Sequence, residues 1–297
     1  MSGGDPTETP IQCGVVLHPA AHTRSPAMHN AAYRALGIDA IFRAYDIPPA
    51  DLERAMQQFR NERVRQLAVS IPHKESMMRL VDEVEPVARA IGAINTVIRV
   101  GDRLVGTNTD WIGAIRALER ETPVAGQRAV ILGAGGTARA LAYGLCKRGC
   151  EVHVLNRTQA RAESLVRELG ATAAGPLEAL ADLSPDLLIN TTSVGMNEMR
   201  SPVSAEALSP GMVVLDAVYA PEQTQLLVDA KACDARPIGG KWMLVYQAVE
   251  QLRCWTALLE DGPNDEAIGG VADIMADAFD DAFDDAFDDA FDGAGRS

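Results

Sequence analysis

The sequence predicts an α/β protein in which a mixed α/β domain precedes a second domain built on a doubly wound parallel sheet. Three observations support this prediction. The chain has 297 residues, which is enough for two domains with buried cores. Short apolar runs alternate with longer amphipathic stretches along most of its length. Near the middle, a glycine-rich turn lies between an apolar strand and an amphipathic helix, as in the first unit of a doubly wound domain.

The first domain is expected over residues 11–107, after a polar N-terminus at 1–10 that we expect to be disordered. Apolar runs rich in β-branched and aromatic residues predict its strands, and amphipathic spacing predicts its helices. Gly101 and Asp102 mark the turn of a hairpin. The predicted strands are Ile11–Leu17, 41–45, 66–71, 95–100 and Arg103–Thr107, and the predicted helices are 26–36, 50–61 and 74–84.

The second domain is expected over residues 108–239, where strand and helix signals alternate regularly. Pro123 and Gly126 mark a turn before its first strand. A further segment, 240–262, carries a final helix at 242–260 that we expect to pack back on the first domain. The predicted strands are Arg128–Leu132, Glu151–Leu155, Leu187–Asn190 and 213–217, and the predicted helices are 110–121, 138–147, Gln159–Leu169 and 221–231.

The glycine-rich turn at residues 133–138 follows the strand Arg128–Leu132 and opens an amphipathic segment. Glycines allow the chain to turn tightly and to bring its backbone N–H groups onto a pyrophosphate at the helix N-terminus. A small residue at position 138 allows the helix to pack closely on the strand. We therefore predict a Rossmann-type dinucleotide-binding domain rather than a turn without a ligand. The predicted cofactor-binding residues of the turn are Gly133, Ala134, Gly135, Gly136, Thr137 and Ala138.

The end of the next strand, Glu151–Leu155, indicates which dinucleotide is bound. An NAD-binding protein usually has an Asp or Glu here, which accepts a hydrogen bond from the ribose 2′-hydroxyl. This chain instead has Asn156, Arg157 and Thr158, with Arg161 nearby. A guanidinium group suits a 2′-phosphate by its charge and its planar set of donors. We therefore predict NADP as the cofactor, with two solvated arginines at a helix start as the alternative.

The formal net charge of −14 arises from 27 Lys and Arg against 41 Asp and Glu. The excess is concentrated in residues 261–297, which contain twelve acidic residues and only Arg296 as a basic one. The first 260 residues are therefore nearly balanced in charge. The net charge of −14 argues against a nucleic-acid partner, because a phosphate backbone selects basic surfaces.

Cysteine usage and hydropathy predict the compartment. The five cysteines are odd in number and scattered, which does not suggest a disulfide framework. The sequence contains no apolar run of membrane-spanning length, and its first residues lack the basic start and apolar run of a secretory signal. We therefore expect a reduced, cytoplasmic protein with no membrane partner.

Three polar residues of the first domain and its boundary suggest the chemistry. Lys74 follows a predicted buried strand, and Pro72 restricts the strand exit, so that we expect the lysine to project toward a cleft. Asn95 and Asp110 lie in polar strings between apolar segments, which suits side chains that line the same cleft. A hydroxyl/carbonyl redox step needs a group that exchanges the hydroxyl proton while hydride moves to or from a nicotinamide. Lys74 is the candidate acid/base and Asp110 its partner, with a solvated lysine and a helix N-cap as the structural alternatives.

Thr23 and Ser25 place two hydroxyls just before a predicted helix. Such hydroxyls, together with the N–H groups of a helix start, can hold a substrate carboxylate, and simple capping is the alternative. The five histidines show no metal-ligand spacing, so we predict no metal site.

Ordered motifs from Gly14 to Gln251 closely resemble the shikimate dehydrogenase family. The match covers roughly four-fifths of the chain, and the motifs occur in the family's order. They are His22-Thr23-Arg24-Ser25-Pro26, Val69-Ser70-Ile71-Pro72-His73-Lys74, Gly92-Ala93-Ile94-Asn95-Thr96, Asn108-Thr109-Asp110, Gly133-Ala134-Gly135-Gly136, Asn156-Arg157-Thr158, Asn190-Thr191-Thr192-Ser193-Val194-Gly195-Met196, Asp216-Ala217-Val218-Tyr219 and Gly240-Lys241-Trp242-Met243-Leu244-Val245-Tyr246-Gln247.

The resemblance implies reversible NADPH-dependent reduction of 3-dehydroshikimate to shikimate, a step of the chorismate pathway toward aromatic amino acids. It gives Lys74 the acid/base role and Asp110 that of its partner at the substrate hydroxyls. The expected partner is a small-molecule substrate. A homodimer would add a second copy of the chain as a partner. The implied substrate-binding residues are Thr23, Ser25, Ser70, Asn95, Tyr219 and Gln247, and the further cofactor-binding residues are Thr192, Ser193, Val194, Ala217 and Gly240.

Several positions depart from the commonest family pattern. Thr23 replaces a serine and Ser70 a threonine, which changes the volume near the substrate but keeps the hydroxyl. Ala68 replaces an asparagine and Gly239 an aspartate. Trp111 replaces a glycine directly after Asp110, and we expect its bulk to reshape the pocket. Quinate or another shikimate-like acid is therefore the alternative substrate.

Residues 263–297 form an acidic low-complexity tail in which Asp-Ala-Phe-Asp recurs four times over positions 277–292. Aspartate is a poor helix former, and like charges crowd every turn. We therefore expect a disordered, solubilising tail rather than a docking helix. The tail and Trp111 also motivate a second alternative, a catalytically weak NADP-binding regulatory protein, which the presence of Lys74 and Asp110 opposes.

Overall fold

The computed structural model describes residues 9–21 and 23–293, and for residues 283–293 it describes the backbone only. Most of the N-terminus that was expected to be disordered therefore lies outside the described residues. So do His22 of the first motif and the side chains of the last three phenylalanines of the repeat.

The first half of the chain forms a mixed six-stranded sheet. Two parallel pairs place β1 between β2 and β3, and an antiparallel hairpin of β5 and β6 extends the sheet from β3. The short β4 pairs parallel with β6 at the edge. The strands are β1 Ile11–Leu17, β2 Ala40–Asp46, β3 Gln66–Val69, β4 Glu83–Val84, β5 Thr96–Val100 and β6 Arg103–Thr107, in the order β2-β1-β3-β5-β6-β4.

The prediction of a helix over residues 74–84 is wrong. A 3₁₀ turn at Ser76–Arg79 and the strand β4 take its place. Asp82 accounts for the change. Its backbone N–H donates to the Leu104 carbonyl, and its carboxylate accepts from the Leu104 N–H at 2.7 Å. This exchange holds the segment extended beside β6. Pro86 also disfavours helical geometry in the residue before it, and a short helix, α3, begins only at the proline.

The second half of the chain forms a six-stranded sheet in which every neighbouring pair is parallel. Its order, β12-β11-β10-β7-β8-β9, reverses direction between β7 and β10, as in the doubly wound dinucleotide-binding fold. The predicted fold class is confirmed. The strands are β7 Arg128–Leu132, β8 Glu151–Leu155, β9 Ala173–Gly175, β10 Leu187–Asn190, β11 Val213–Asp216 and β12 Arg236–Ile238.

Helices cover both sheets and connect them. The helix α4 packs closely on α8, because a Cβ on Gly113 would lie only 2.6 Å from the Met243 carbonyl oxygen. The predicted helix over 221–231 begins later, at α7, where the Thr224 side chain accepts from the Leu227 N–H. The helices are α1 Ser25–Ala35, α2 Leu52–Asn61, α3 Pro86–Ile91, α4 Asp110–Glu119, α5 Gly136–Lys147, α6 Gln159–Leu169, α7 Gln225–Ala232, α8 Gly240–Thr256 and α9 Asp265–Gly293.

The acidic tail, for which disorder was predicted, is helical over Asp265–Gly293. The helix α9 begins at Asp265 and packs on α1 and α8. Its apolar residues Ile268, Val271 and Met275 are buried in one cluster with residues of β1, α1 and α8. The prediction of disorder rested on the composition of the repeat. The buried apolar stripe begins before the repeat, in a segment of ordinary amphipathic character.

No helix within residues 9–21 and 23–293 combines the length and the hydropathy needed to cross a membrane.

A buried histidine makes the stability of the first domain depend on pH. The His29 ring on α1 is inaccessible to solvent and stacks on Phe42, with 4.0 Å between ring centroids. Burial lowers the pKa of His29 from its ordinary value of 6.5 to about 3. The unfolded chain therefore binds the proton first as the pH falls. This histidine lowers the free energy of unfolding between pH 6.5 and pH 3, with a slope of up to about 1.4 kcal/mol per pH unit.

We predict that His29→Leu flattens this part of the stability profile, because the variant has no group to protonate in the unfolded chain. Urea denaturation at several pH values between about 7 and about 4.5 measures the slope. Met28→Leu is the control, since it changes a fully buried neighbour on α1 but keeps His29, and it should retain the wild-type slope. Equal slopes in the wild type and His29→Leu would contradict the prediction.

Candidate active site between the two sheets

A lysine and an aspartate form a largely enclosed ion pair where the two halves of the molecule meet. Lys74 lies just beyond the end of β3, and Asp110 is the first residue of α4. Lys74 Nζ lies 2.7 Å from Asp110 Oδ2, and the two side chains are 13% and 6% exposed. The same ammonium also donates to Thr137 Oγ1 on α5 at 3.3 Å. A proton-exchanging group therefore reaches from the first domain to the start of the dinucleotide-binding helix.

The carboxylate of Asp110 is fixed by amides behind it. Asn95 Nδ2 donates to Asp110 Oδ1 at 2.8 Å, so that each carboxylate oxygen has its own donor. The Asp110 backbone N–H donates to Asn108 Oδ1, and Asn108 Nδ2 donates to the Ala93 carbonyl. Asn95 also bonds to Gln247 Oε1 on α8 at 3.1 Å. The orientation of the ion pair is thus set by buried groups from three separate segments.

A cavity of about 250 Å³ opens beside the ion pair. Its apolar surface includes side chains of β1 and α8, and hydroxyl and amide groups interrupt that surface. Such a lining suits a small molecule with several polar substituents. Asn95 does not line the cavity but supports Asp110 and Gln247 from behind. The residues predicted to bind substrate that do line it are Thr23, Ser25, Ser70, Tyr219 and Gln247.

The glycine turn approaches the lysine closely. A Cβ on Gly136 would lie 3.1 Å from Lys74 Cβ, and one on Gly133 would lie 2.5 Å from Thr191 Oγ1. Gly133 also adopts a φ of +111°, a conformation that side chains disfavour. Glycine at these two positions therefore lets the turn fit between β10 and the first domain.

A second cavity of about 190 Å³ lies over the glycine turn. No atom of the described residues lies within 4 Å of a Cβ built on Gly135, so the turn leaves room above its backbone. The space adjoins the N-terminus of α5, where free N–H groups favour a pyrophosphate. These features fit a dinucleotide. The second cavity is lined by Ile71, Pro72, Lys74, Glu75, Gly135, Gly136, Thr137 and Thr191, and shares Ile71, Lys74, Thr137 and Thr191 with the first.

The other residues predicted to hold the cofactor lie around the same cleft or near it. Ala138 is fully buried in the core against the sheet, in keeping with its small size, and Ala134 is partly buried beside it. Gly240 opens α8 so close to Ala217 that a Cβ on it would lie 2.8 Å from the Ala217 carbonyl oxygen. Thr192, Ser193, Ala217 and Gly240 line the larger cavity.

Two exposed guanidinium groups lie beyond the end of β8. Arg157 is exposed, and Arg161 Nη2 lies 3.9 Å from Glu75 Oε1 of the first domain. Asn156 Nδ2 donates to the Thr158 carbonyl, which shapes the turn that presents these side chains. The strand end has no carboxylate at the position after Leu155, so nothing there repels a phosphate from Arg157.

A buried network that the sequence did not reveal holds the loop after β10. Asn190 and Asp216 end neighbouring strands in register, and Asn190 Nδ2 donates to Asp216 Oδ1 at 2.9 Å. The second oxygen of Asp216 accepts from the Thr224 hydroxyl at 2.7 Å. Burial raises the pKa of Asp216. The sequence signal that could have indicated this network is the polar residue at the end of each of the two apolar strands.

This network shapes the loop at 192–194. Asn190 Oδ1 accepts from the Thr192 N–H and from its hydroxyl at 2.7 Å, and Asn190 Nδ2 also donates to the Val194 carbonyl. The Val194 N–H donates in turn to Thr192 Oγ1. Two predicted cofactor-binding residues are thereby held by a side chain that was quoted within a motif but given no role.

The expectation that Trp111 reshapes the pocket is wrong. Its ring packs edge-to-face on Tyr143 of α5, with 5.6 Å between ring centroids, and does not line either cavity. It joins an interdomain cluster with Ile91 and Ala140. The reason is helical geometry, because neighbouring residues on α4 point about 100° apart around the helix axis.

The fold and the site together define a class. A lysine–carboxylate pair that faces the glycine turn of a doubly wound sheet, with a small polar cavity alongside, is the arrangement of a two-domain, dinucleotide-dependent dehydrogenase.

Comparison with known proteins agrees. A family profile described as "Shikimate dehydrogenase substrate binding domain" matches residues 15–97, and one described as "Shikimate / quinate 5-dehydrogenase" matches residues 116–206. The chain is 43% identical over 259 residues to the shikimate dehydrogenase (NADP(+)) of Haloarcula marismortui, and the match covers 86% of this chain and 96% of that protein. It is 44% identical to the enzyme of the same description from Thermococcus kodakarensis, over 84% of this chain and 92% of that protein.

A solved structure also matches this chain. Shikimate 5-dehydrogenase from Thermus thermophilus, in complex with NADP(H) and shikimate, superposes with a TM-score of 0.79 at 37% identity. The match covers 89% of this chain and 99% of that one. The chain therefore belongs to the shikimate dehydrogenase family, and the resemblance inferred from its motifs is confirmed.

We predict that Thr224→Val lowers the free energy of unfolding by about 1–3 kcal/mol, because it removes a hydrogen bond to the buried Asp216 and the cap of α7. Urea denaturation measures the change. Thr224→Ser is the matched control, since it keeps the hydroxyl and should retain most of the stability. A loss of stability in Thr224→Ser with none in Thr224→Val would mean that the methyl group, not the hydroxyl, matters.

Proposed function

We propose that this chain is an NADP-dependent shikimate dehydrogenase that catalyses the reversible reduction of 3-dehydroshikimate to shikimate. The observation that carries the proposal is the ion pair of Lys74 and Asp110, placed between the larger cavity and the glycine turn. The names of the curated relatives and of the matching solved structure support the same substrate and cofactor.

In this proposal Lys74 exchanges the proton of the reacting hydroxyl. In the reductive direction its ammonium donates a proton to the carbonyl oxygen of the substrate, and in the oxidative direction its amine accepts the proton of the hydroxyl. NADPH, when bound, supplies the hydride that reaches the carbonyl carbon. Asp110 holds the lysine at 2.7 Å and is itself held by Asn95, so the proton donor keeps one position throughout.

The substrate would occupy the larger cavity beside this pair. Its ring carboxylate suits Thr23 and Ser25, whose hydroxyls lie at the start of α1 and line the cavity. Its hydroxyls suit Ser70, Tyr219 and Gln247 on the other sides of the cavity. Burial raises the pKa of Tyr219, which keeps its phenol protonated as a donor at neutral pH.

The cofactor would lie along the glycine turn. Its pyrophosphate would face the start of α5, and Arg157 and Arg161 would bind the 2′-phosphate that distinguishes NADP from NAD. The loop at 192–194, together with Ala217 and Gly240, would hold its nicotinamide end near Lys74.

Quinate is the second candidate substrate. One matching family profile is described by both substrates, and this favours testing them side by side. The regulatory alternative, a catalytically weak NADP-binding protein, lacks such support, because the acid/base pair is complete and oriented.

We place the enzyme in the cytoplasm, in the synthesis of aromatic amino-acid precursors. All five cysteines are unpaired in the described part of the chain, which favours a reducing compartment. A homodimer stays a prediction, and light scattering of the purified protein would test it.

The decisive assay follows the formation of NADPH with shikimate and, separately, with quinate. We expect turnover with shikimate and NADP. Turnover with quinate alone would make the chain a quinate dehydrogenase. Absence of turnover with both would overturn the proposed activity.

We predict that Lys74→Ala lowers kcat by about 100-fold to 10,000-fold, the range typical of a lost general acid/base, and leaves NADP binding nearly unchanged. Steady-state kinetics and a fluorescence titration with NADPH measure the two effects. Lys231→Ala is the control, because Lys231 is an exposed lysine on α7. Lost NADPH binding in Lys74→Ala would indicate a structural role for the lysine instead.

We predict that Arg157→Ala raises the KM for NADP about tenfold, which corresponds to about 1.4 kcal/mol, and leaves the KM for NAD unchanged. The guanidinium acts only on the 2′-phosphate, so the effect should depend on the cofactor. Arg167→Ala on α6 is the control, since this arginine lies far along the helix from the strand end. A parallel rise for both cofactors would contradict the assignment.

A further inference from the structure

The last turn of α9 with described side chains, residues 279–282, contacts the rim of the larger cavity. Phe279 is fully buried, and its ring lies 6.0 Å from that of Tyr219, at 68° between the planes. Tyr219 lines the cavity and lies in the irregular segment after β11. The apolar end of the acidic helix thus packs directly on a predicted substrate-binding side chain.

An ion pair anchors this turn. Both carboxylate oxygens of Asp280 lie within hydrogen-bond distance of Lys241 Nζ, at 2.7 and 2.6 Å. Lys241 is the second residue of α8, and its side chain is only 16% exposed. The same ammonium lies 5.7 Å from the Phe279 ring centroid. The pair fixes the end of α9 against the start of α8, where Gly240 lines the cavity.

A backbone contact completes the set. The Arg24 guanidinium donates from Nη1 to the Ala282 carbonyl. Arg24 lies between Thr23 and Ser25, which both line the cavity. Tyr219, in turn, is linked to Thr23 by a hydrogen bond and lies near the charge of Arg24, and both oppose the effect of burial on the Tyr219 pKa. Two irregular segments that present substrate-facing hydroxyls therefore meet on the end of α9.

Irregular segments are where a fold opens locally at least cost, and ordering them on binding reduces affinity. The end of α9 packs on both segments before any ligand arrives. The earlier turns of α9 place Ile268, Val271 and Met275 in the core between α1 and α8. Phe279 belongs to the same buried cluster, and its ring also lies against Tyr219, which lines the cavity.

We propose that Phe279 is a positioning residue for substrate binding, which acts by holding the Tyr219 hydroxyl in place, and that Asp280 anchors it through Lys241. This rests on the proposed function, because it assumes that the larger cavity binds shikimate. It gives the aspartate- and phenylalanine-rich C-terminus a direct part in the affinity for substrate.

Phe279→Ala is expected to raise the KM for shikimate about tenfold, with kcat changed less than about twofold and the KM for NADP unchanged. The chemical step is retained because the partners of Lys74 are Asp110 on α4 and Thr137 on α5, which the substitution leaves in place. Met275→Ala is the matched control. Met275 is equally buried and lies one turn earlier, so the variant should lose stability without a change in either KM. Phe279→Leu, which keeps most of the apolar volume, should fold and give an intermediate KM.

A double-mutant cycle with Tyr219→Phe tests the route. If Phe279 acts through the Tyr219 hydroxyl, Phe279→Leu should raise the KM for shikimate in the wild type and have little further effect in Tyr219→Phe. Asp280→Asn should raise the same KM by a smaller factor. Equal effects of Phe279→Leu in both backgrounds, or an unchanged KM in an active enzyme, would overturn the positioning role alone. A wild-type protein without turnover of shikimate would instead overturn the proposed function.

Discussion

The contact between Lys74 and Asp110 is the constraint on which the rest of the site depends. It joins the end of a strand in one sheet to the first residue of the helix that leads to the other. An enclosed charge pair is tolerated only when its remaining donors and acceptors are satisfied. Asn95 and Thr137 meet that requirement here, and each brings a further element, α8 and α5, into fixed relation with the pair. The close approach of Gly136 follows from the same geometry.

A second buried polar group orders the opposite wall of the cleft. Asp216 and Asn190 lie side by side at the carboxyl ends of neighbouring parallel strands, where an open α/β sheet presents its loops to a ligand. Their hydrogen bonds shape the loop at 192–194, which contains no helix or strand. Both walls of the cleft thus use the same physical device, a buried side chain with all its bonds made, to hold irregular backbone still.

Much of this was predictable from the sequence, because strands and amphipathic helices repeat locally and because the glycine turn has a definite place between them. The residues of the ion pair could also be named, since polar strings between apolar runs mark the edge of a sheet. Contacts between residues far apart in the sequence could not be predicted. Asp82 holds its segment as a strand by its hydrogen bonds with Leu104, and the Trp111 ring packs on Tyr143 instead of lining the cavity. The helix α9 was missed because a repeat of aspartate and phenylalanine has little local helix preference, and the surface that stabilises it is supplied by α1 and α8.

The packing of α8 and α9 has a consequence for how the molecule is made. Both helices fill the core against β1 and α1, yet they follow the whole nucleotide-binding sheet in the chain. Domains usually fold in the order in which the ribosome delivers them. Here the first sheet to be synthesised is the last to be covered, because Trp255 and Met275 reach it only after the second sheet has been made. The emerging chain therefore carries a complete nucleotide-binding sheet and an exposed apolar face on the first sheet. A chain truncated before α8 would leave that face open to aggregation or to chaperones.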